Sequence, residues 1–188
     1  FDVARAANDD AGDLQDDLKG PLRATSLIDK PMPAYPNGCH VAEVEIDPDT
    51  GVVKLDRYTA VDDCGRVVNP MIVDGQVHGG IGQGVGQALW EEVAYDHESG
   101  QLLTGSFMDY VMPRAGDLPM FIVGHNEVPT PTNRMGAKGG GEGGTTPAPA
   151  AIVNAICDAL RDYGVEHIQM PVTSEKVWRA MSNYCSGK

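Results

Sequence analysis

Residues 135–147, MGAKGGGEGGTTP, place one lysine and one glutamate among six glycines, directly before a stretch typical of a helix. Such loops usually bind anions, because free backbone N–H groups and the helix dipole attract negative charge. Glu142 is itself negatively charged, so it would repel the anion that such a loop usually binds. One interpretation is a base, held ionised by Lys138 and the helix start, close to a large ligand. The other is a simple helix-capping acid, and the residues alone leave both open.

Other motifs argue against nucleotide binding and serine hydrolysis. Gly139, Gly141 and Gly144 fit G-x-G-x-x-G, but the preceding strand ends too early and Glu142 stands where a pyrophosphate would lie. The run GGIGQGVG lacks that spacing, and no Gly-Lys-Ser/Thr is present. No serine stands in G-x-S-x-G. Among the histidines, only His78, in the glycine-rich helix, is a candidate functional residue.

Composition limits the partners and the metal chemistry. The net charge of −13 argues against nucleic acid, which requires a basic face. No apolar run reaches the roughly 20 residues of a membrane span, so we expect a soluble, cytoplasmic protein. The four cysteines form no C-x-x-C pair, which predicts reduced, mostly buried thiols rather than a metal site. The first residue is Phe1, so we expect the sequence to begin inside a longer polypeptide or after processing.

The strands and helices predicted around these motifs indicate an α+β fold. Residues 1–37 are acidic and end in a proline-rich stretch, so we interpret them as a lead-in segment to a domain at 38–188. Alternating residues around the turn DPDTG predict a hairpin over 40–61, and HESG predicts the turn of another over 93–106. A further strand is expected at 120–128, and a last one at 166–170.

Three helices complete the prediction. Apolar residues every four positions from Val73 to Leu89 indicate a helix despite six glycines at 75–86, each costing about 1 kcal/mol relative to alanine. We interpret Gly75 with Gly79, and Gly82 with Gly86, as sites of close approach to a backbone or ligand, with helix-to-sheet packing as the alternative. A second helix follows a Thr145 or Thr146 cap and ends at Gly164. The C-terminal helix is expected to be capped by Thr173 or Ser174 and anchored by Trp178.

Several blocks occur together in one order along the chain. They are YPNGCHVAEVEIDPDTG, DDCGRVVNPMIVDGQVHGGIGQGVGQAL, GSFMDYVMP, EVPTPTNRMGAKGGGEGGT and MPVTSEKVWRAM. Together they resemble the C-terminal part of the molybdenum-binding subunit of the xanthine dehydrogenase, aldehyde oxidase and aerobic carbon monoxide dehydrogenase family. The resemblance runs from about Phe1 to Met181 and implies the second molybdopterin-binding domain, with antiparallel hairpins packed against a glycine-rich helix and C-terminal helices.

The resemblance also implies site residues. Gly141-Glu142 matches the Gly-Glu pair that supplies the base near the metal, so Glu142 is the expected catalytic residue. Two segments match loops that contact the molybdopterin cofactor. Their residues are Cys64, Gly65, Asn69, Gln76, Lys138, Gly139, Gly140 and Gly141. No residue of this chain is expected to ligate the metal directly.

The implied activity is hydroxylation of an aldehyde or N-heteroaromatic carbon, with water as the oxygen source. The expected cofactor is the cytosine dinucleotide form of molybdopterin. The expected partners are the N-terminal half of the molybdenum subunit, an iron–sulfur subunit and an FAD subunit. Gly-Gly-Thr follows Glu142 where the carbon monoxide enzymes have Ser-Pro, so carbon monoxide remains an alternative substrate of lower rank. The isolated chain is expected to be inactive, and a non-catalytic scaffold or interaction domain is the other alternative.

Overall fold

The computed structural model describes the backbone of Thr25, Leu27 and residues 32–186, and the side chains up to Ser182. The chain divides into two compact units, Phe1–Met32 and Pro33–Lys188. Most of the predicted lead-in segment lies outside the described residues, so the boundary between residues 37 and 38 stays a prediction. Among the described helices, none combines the length and apolar character that a membrane crossing requires.

The predicted first hairpin is confirmed. Strand β1 spans Asn37–Ile46 and strand β2 spans Val53–Asp63, and they pair antiparallel with a bulge at Glu43/Val44. Asp47 stabilises the turn, because its carboxylate accepts hydrogen bonds from the Asp49 N–H at 2.9 Å and the Thr50 hydroxyl at 2.7 Å. Alternate β1 residues are partly buried and exposed, as the sequence pattern predicts.

Strand β3, Ile122–His125, completes a sheet of order β1-β2-β3 and runs parallel to β2. The predicted second hairpin is only a single antiparallel bridge between Tyr95 and Leu102 in the described structure. Its turn is nevertheless formed, since Asp96 accepts hydrogen bonds from the backbone and hydroxyl of Ser99. A short 3₁₀ turn at Ala115–Asp117 precedes β3.

Helix α1, Pro70–Leu89, is the predicted glycine-rich helix. Its start has the expected chemistry: Asn69 caps it by accepting the Ile72 N–H at 3.3 Å, and Pro70 occupies the first turn. One face enters a core shared with β2 and the later helices. The fully buried side chains of that core are Tyr58, Val77, Ile81, Val85, Leu89, Ile152, Ile156, Leu160, Val172 and Val177.

Close approach to α1 occurs at one predicted glycine, Gly86, where an added Cβ would lie 2.8 Å from Pro113 Cδ, and at two glycines that were not predicted. A Cβ added at Gly75 or Gly79 meets no heavy atom within 4 Å in the described part of the chain. At Gly80 it would lie 2.8 Å from the Thr145 nitrogen, and at Gly84 it would lie 2.6 Å from the Ala148 Cβ. The prediction is therefore confirmed at Gly86 and wrong at Gly75 and Gly79, because glycine spacing alone does not say which side of a helix is packed.

Helix α2 spans Ala148–Ala159 and packs against β1 and α1, followed by a 3₁₀ turn at Arg161–Tyr163 that ends at Gly164 in the left-handed conformation. The predicted threonine cap is wrong: Pro147 occupies the cap position without a side-chain bond. The Thr145 hydroxyl instead donates a hydrogen bond to the Gly80 carbonyl at 3.2 Å. The predicted strand at 166–170 is also wrong, since that segment is irregular.

Helix α3 spans Ser174–Ser186, and Thr173 caps it as expected by accepting the Lys176 N–H at 3.4 Å. The predicted anchor is wrong, because Trp178 is 46% exposed whereas Val177 is fully buried. The buried residue at this point of the helix is therefore Val177, one position before the predicted anchor.

Candidate functional site

The two segments predicted to contact a cofactor are joined by their backbones. One is the 64–69 loop after β2, and the other is residues 136–144, called here the glycine loop. The Lys138 N–H donates to the Cys64 carbonyl at 2.8 Å, and the Arg66 N–H donates to the Gly136 carbonyl at 3.0 Å. Gly65 has φ 68°, and a Cβ there would lie 2.2 Å from the Gly136 oxygen, so this junction requires glycine.

Lys138 forms a shielded ion pair that also ties the two loops together. Its Nζ lies 2.5 Å from Asp63 Oδ2, and the two side chains are only 12% and 6% exposed. The other oxygen of Asp63 accepts the N–H groups of Gly65 at 2.8 Å and Val128 at 3.1 Å. The hydrogen bond from Lys138, with help from these N–H groups, lowers the pKa of Asp63 to about 2. Lys138 therefore pairs with Asp63, and the expectation that it supports Glu142 is wrong.

The glycines between Lys138 and Glu142 leave an open surface. A Cβ added at Gly140 would lie 3.6 Å from the Cys64 Cβ, and one at Gly141 would lie 3.8 Å from Gln76 Nε2. Of the predicted residues, Gly140 therefore lies beside Cys64, and Gly141 lies beside Gln76. Within the described part of the chain, the N–H groups of Gly140, Gly141 and Glu142 donate no hydrogen bond. Such free donors on an uncrowded backbone fit an anionic, planar cofactor.

Glu142 lies at the end of this surface, exposed, and lines a cavity of about 320 Å³. Helix α2 begins only at Ala148, six positions later, and the Glu142 carboxylate makes no hydrogen bond to a described residue. The helix-capping interpretation is therefore wrong. An unpaired carboxylate beside an open backbone is available to accept a proton from a bound molecule.

The remaining predicted residues have mainly local contacts. Asn69 uses its amide oxygen to cap α1, which leaves its contact with a cofactor a prediction. Cys64 is buried, and that burial, together with the nearby acidic groups, raises the pKa of its thiol. His78 packs edge-on against Phe121, with ring centroids 5.6 Å apart. Of the thiols expected to be buried, Cys39 is exposed and Cys157 is half-buried, while the Cys185 side chain lies outside the described part.

Sequence reasoning missed a buried polar cluster that includes Asp62, which lines the same cavity as Glu142. His40 Nε2 lies 3.1 Å from Asp62 Oδ1, and His40 Nδ1 lies 2.9 Å from the Tyr58 hydroxyl. Burial raises the pKa of Tyr58, so its hydroxyl stays protonated. The signal was present in the two consecutive aspartates that end β2, since a carboxylate at an inward strand position requires a partner. Among the described residues, no three or more His, Cys, Asp or Glu side chains lie together in a group that could hold a metal ion.

Comparison with known proteins supplies the family. Residues 2–119 match the family described as Molybdopterin cofactor-binding domain. The nicotine 6-hydroxylase large subunit of Paenarthrobacter nicotinovorans is 42% identical over 95% of this chain and 22% of its own length. The chain therefore spans about a fifth of the length of such curated relatives.

Solved structures agree with this result. A Cu,Mo-CO dehydrogenase in its carbon monoxide reduced state matches with a TM-score of 0.88 and 36% identity, over 97% of this chain and 22% of that one. Quinoline 2-oxidoreductase from Pseudomonas putida 86 matches with a TM-score of 0.75 and 45% identity, over 78% of this chain and 19% of that one. The chain thus belongs to the molybdopterin cofactor-binding domain family and is homologous to part of the molybdenum subunit of the xanthine dehydrogenase, aldehyde oxidase and carbon monoxide dehydrogenase group.

Proposed function

We propose that this chain forms one wall of a molybdopterin site and contributes Glu142 as the base of a molybdenum hydroxylase. The observation that carries the proposal is the unpaired carboxylate of Glu142 at the end of an open glycine surface with free N–H donors. A base must be close to its proton source and free of competing partners. Glu142 meets the second condition in the described structure.

Each part of this site has its own proposed role. The backbone N–H groups of Gly140 and Gly141 would donate to anionic groups of the cofactor, with the Gln76 amide beside them. The Asp63–Lys138 pair holds the loop in place, and Glu142 accepts the proton released during hydroxylation. The bound cofactor would supply the centre that receives the electrons of the oxidised substrate.

The finer assignments are also proposals. We expect the cytosine dinucleotide form of the cofactor, with iron–sulfur clusters and FAD on partner subunits or domains, and a cytoplasmic location. The large-subunit and complex-subunit names of the relatives support a multi-subunit enzyme. Cys64, Gly65, Asn69 and Lys138 remain the proposed cofactor contacts beside the glycines.

An N-heteroaromatic ring is the favoured substrate, since relatives are named for nicotine and quinoline, and an aldehyde comes next. Carbon monoxide dehydrogenase-type activity is the second candidate, favoured by the high structural similarity to that enzyme. The Gly143-Gly144-Thr145 sequence after Glu142 ranks it lower. Turnover of the complete enzyme on quinoline, an aromatic aldehyde and carbon monoxide would separate the three.

Replacing Glu142 with Gln in the complete enzyme tests the base. The change preserves size but removes the proton acceptor, so we expect turnover to fall by about 10²–10⁴-fold with molybdenum content unchanged. Glu166→Gln is the matched control, because Glu166 is an exposed carboxylate in the irregular 165–169 segment. Normal turnover of Glu142→Gln would refute the proposal.

The isolated 188 residues test the scaffold alternative. We expect them to bind no molybdenum tightly and to turn nothing over, because the glycine surface is only one side of a cofactor site. Stoichiometric molybdenum in the purified chain would contradict this expectation.

A further inference from the structure

Residues 93–112, called here the apolar segment, display side chains that the proposed function does not use. The segment holds eight large apolar residues that are between 39% and 83% exposed, led by Met108 at 83% and Phe107 at 77%. Soluble monomers rarely expose apolar patches larger than a few hundred Å². So many exposed apolar side chains in one short segment therefore indicate a surface that another molecule covers.

The two most exposed of these side chains stand on an ordered turn. The Ser106 hydroxyl donates to Asp109 Oδ2 at 2.6 Å, and the Tyr110 N–H donates to the Ser106 carbonyl at 2.8 Å. The Tyr110 hydroxyl donates to Glu91 Oε2 at 2.5 Å, which ties the turn to the residues that follow α1. Because the backbone is already fixed, binding through this turn loses little conformational freedom. The turn is therefore preorganised to bind a partner.

The apolar surface continues in both directions along the chain. Before the turn, Tyr95 and Leu102 pair across an antiparallel bridge, and they are 57% and 39% exposed. After the turn, Val111 and Met112 line a cavity of about 690 Å³ together with Trp90. A partner side chain could be buried in such a cavity, and a few anchors of this kind supply most of the affinity of an interface.

The charges around the apolar segment have one sign. Residues 91–113 contain five carboxylates and no lysine or arginine. Glu92 pairs with Lys176 at 3.8 Å. The other four make no ion pair with a described residue, and they are Glu91, Asp96, Glu98 and Asp109. The charged residues that line the cavity are two of each sign, so they do not offset this excess. Like charges repel across an interface, which disfavours a second copy of this face and favours a basic partner.

The apolar segment is remote from the glycine loop. Gly141 of that loop lies beside Gln76, near the start of α1, whereas Glu91 follows the end of the same helix at Leu89. At 1.5 Å per residue, the helix separates the two places by roughly 20 Å. The partner of the apolar segment is therefore distinct from any molecule that binds at the glycine loop.

We propose that the apolar segment docks onto a surface of the rest of the molybdenum subunit that carries Lys or Arg side chains around an apolar centre. The inference rests on the proposed function, since it takes this chain to be one part of that subunit. The chain spans only about a fifth of the length of its curated relatives, so a large part of such a subunit is left to cover the segment. Interfaces between permanently joined parts are the more apolar ones, which fits the exposed Phe107 and Met108.

Methionine oxidation measures whether the segment is covered. Hydrogen peroxide converts an accessible methionine to its sulfoxide, and mass spectrometry gives the rate at each position. We expect Met108 to react at least about tenfold more slowly in the complete enzyme than in the separate 188-residue chain. Met120, which is 85% exposed and lies outside the segment, is the matched control and should react at similar rates in both samples.

Two serine variants test whether the contact stabilises the enzyme. Met108→Ser removes an apolar side chain from the proposed interface, and Met120→Ser removes one of nearly equal exposure elsewhere. In the separate chain neither change should shift the melting temperature, because both side chains are already in water. In the complete enzyme, Met108→Ser should lower the melting temperature or prevent assembly, and Met120→Ser should do neither. Equal behaviour of the two variants in the complete enzyme would contradict the proposal.

A photochemical cross-link identifies the partner. The photoreactive analogue p-benzoylphenylalanine, placed at Phe107 in the complete enzyme, should cross-link to a peptide of the rest of the molybdenum subunit that contains Lys or Arg beside apolar residues. Cross-linking to a second copy of this segment, to a separate subunit or to a peptide without basic residues would overturn the proposal, as would equal oxidation of Met108 in the two samples. None of these measurements depends on turnover, so a failure here leaves the role of Glu142 to be decided by Glu142→Gln.

Discussion

The contact between α1 and the glycine loop predicts opposite effects for alanine at two adjacent glycines. Gly79 faces open space, with no heavy atom within 4 Å of an added Cβ in the described chain. Gly80 faces the glycine loop, where the same Cβ would lie 2.8 Å from the Thr145 nitrogen and 3.0 Å from the Gly144 Cα. Both positions are interior to the same helix, so their intrinsic helix propensity is matched.

The magnitude follows from two opposing effects. Alanine in place of glycine within a helix stabilises by about 1 kcal/mol, and Gly79→Ala should show most of that gain. Gly80→Ala has the same gain but adds about 1–3 kcal/mol of overpacking, because backbone atoms must move. It also disturbs the bond from the Thr145 hydroxyl to the Gly80 carbonyl, at 3.2 Å, worth about 1 kcal/mol.

We therefore expect the free energies of unfolding of the two variants to differ by about 2–4 kcal/mol, with Gly79→Ala the more stable. For a chain of this size that corresponds to melting temperatures roughly 4–16 °C apart. Urea unfolding followed by circular dichroism measures the difference directly. Gly82→Ala is a second control, since the nearest atom to its added Cβ is Leu118 Cδ1 at 3.7 Å, an ordinary contact.

Equal destabilisation by Gly79→Ala and Gly80→Ala would refute this reasoning. It would mean that the open face of α1 is packed as tightly as the face against the glycine loop. Stabilisation by Gly80→Ala would refute it as well, because a backbone nitrogen 2.8 Å from the added Cβ does not allow a free gain in helix propensity.

Two further predictions concern the loops beside this contact. Lys138→Met leaves the buried Asp63 without its cation and should cost about 3–5 kcal/mol in urea unfolding, whereas Lys54→Met, at an exposed pair, should cost less than about 1. The pKa of Asp63 is about 2 in the folded state, lower than in the unfolded state, so its stabilising effect is complete above the unfolded pKa and is lost as pH falls toward 2. Lys138→Met should therefore show a smaller loss of unfolding free energy over that pH range. Equal acid loss in both proteins would contradict the pairing. The second prediction concerns cysteine alkylation at pH 8, followed by mass spectrometry. The exposed Cys39 should react before Cys64, because burial raises the pKa of the Cys64 thiol. The reverse order of reaction would contradict the burial of Cys64.

Local patterns predicted the individual elements well. The first hairpin, α1 and α3 follow from alternation, apolar spacing and capping residues, all of which act over a few positions. The strand at 166–170 and the full second hairpin were wrong, since a short apolar run becomes a strand only when a neighbouring strand is there to pair with it. The parallel pairing of β2 with β3 was not predicted for the same reason, because it joins distant parts of the chain.

The candidate site was predictable as a set of residues but not as a set of partners. The glycine loop and the 64–69 loop were both identified, and the structure joins them through Lys138 N–H and the Cys64 carbonyl. The charge on Lys138 was assigned to the wrong carboxylate. Spacing places Lys138 four residues from Glu142, yet its partner is 75 residues away in sequence. The partner of a long side chain depends on its tertiary position, and the periodicity of a single sequence carries no information about that position.

The two aspartates at the end of β2 set the charges around Glu142, whose carboxylate has no partner among the described residues. Asp63 binds Lys138 and two backbone N–H groups, so the lysine next to the glycine loop is not available to Glu142. Asp62 binds His40 on one side and offers a free oxygen on the other. A carboxylate that keeps no fixed cation is a stronger proton acceptor than one held in an ion pair. The two aspartates thus assist the proposed base in two ways. Asp63 binds Lys138, which is then not available to pair with Glu142, and Asp62 adds a negative charge to the adjoining cavity.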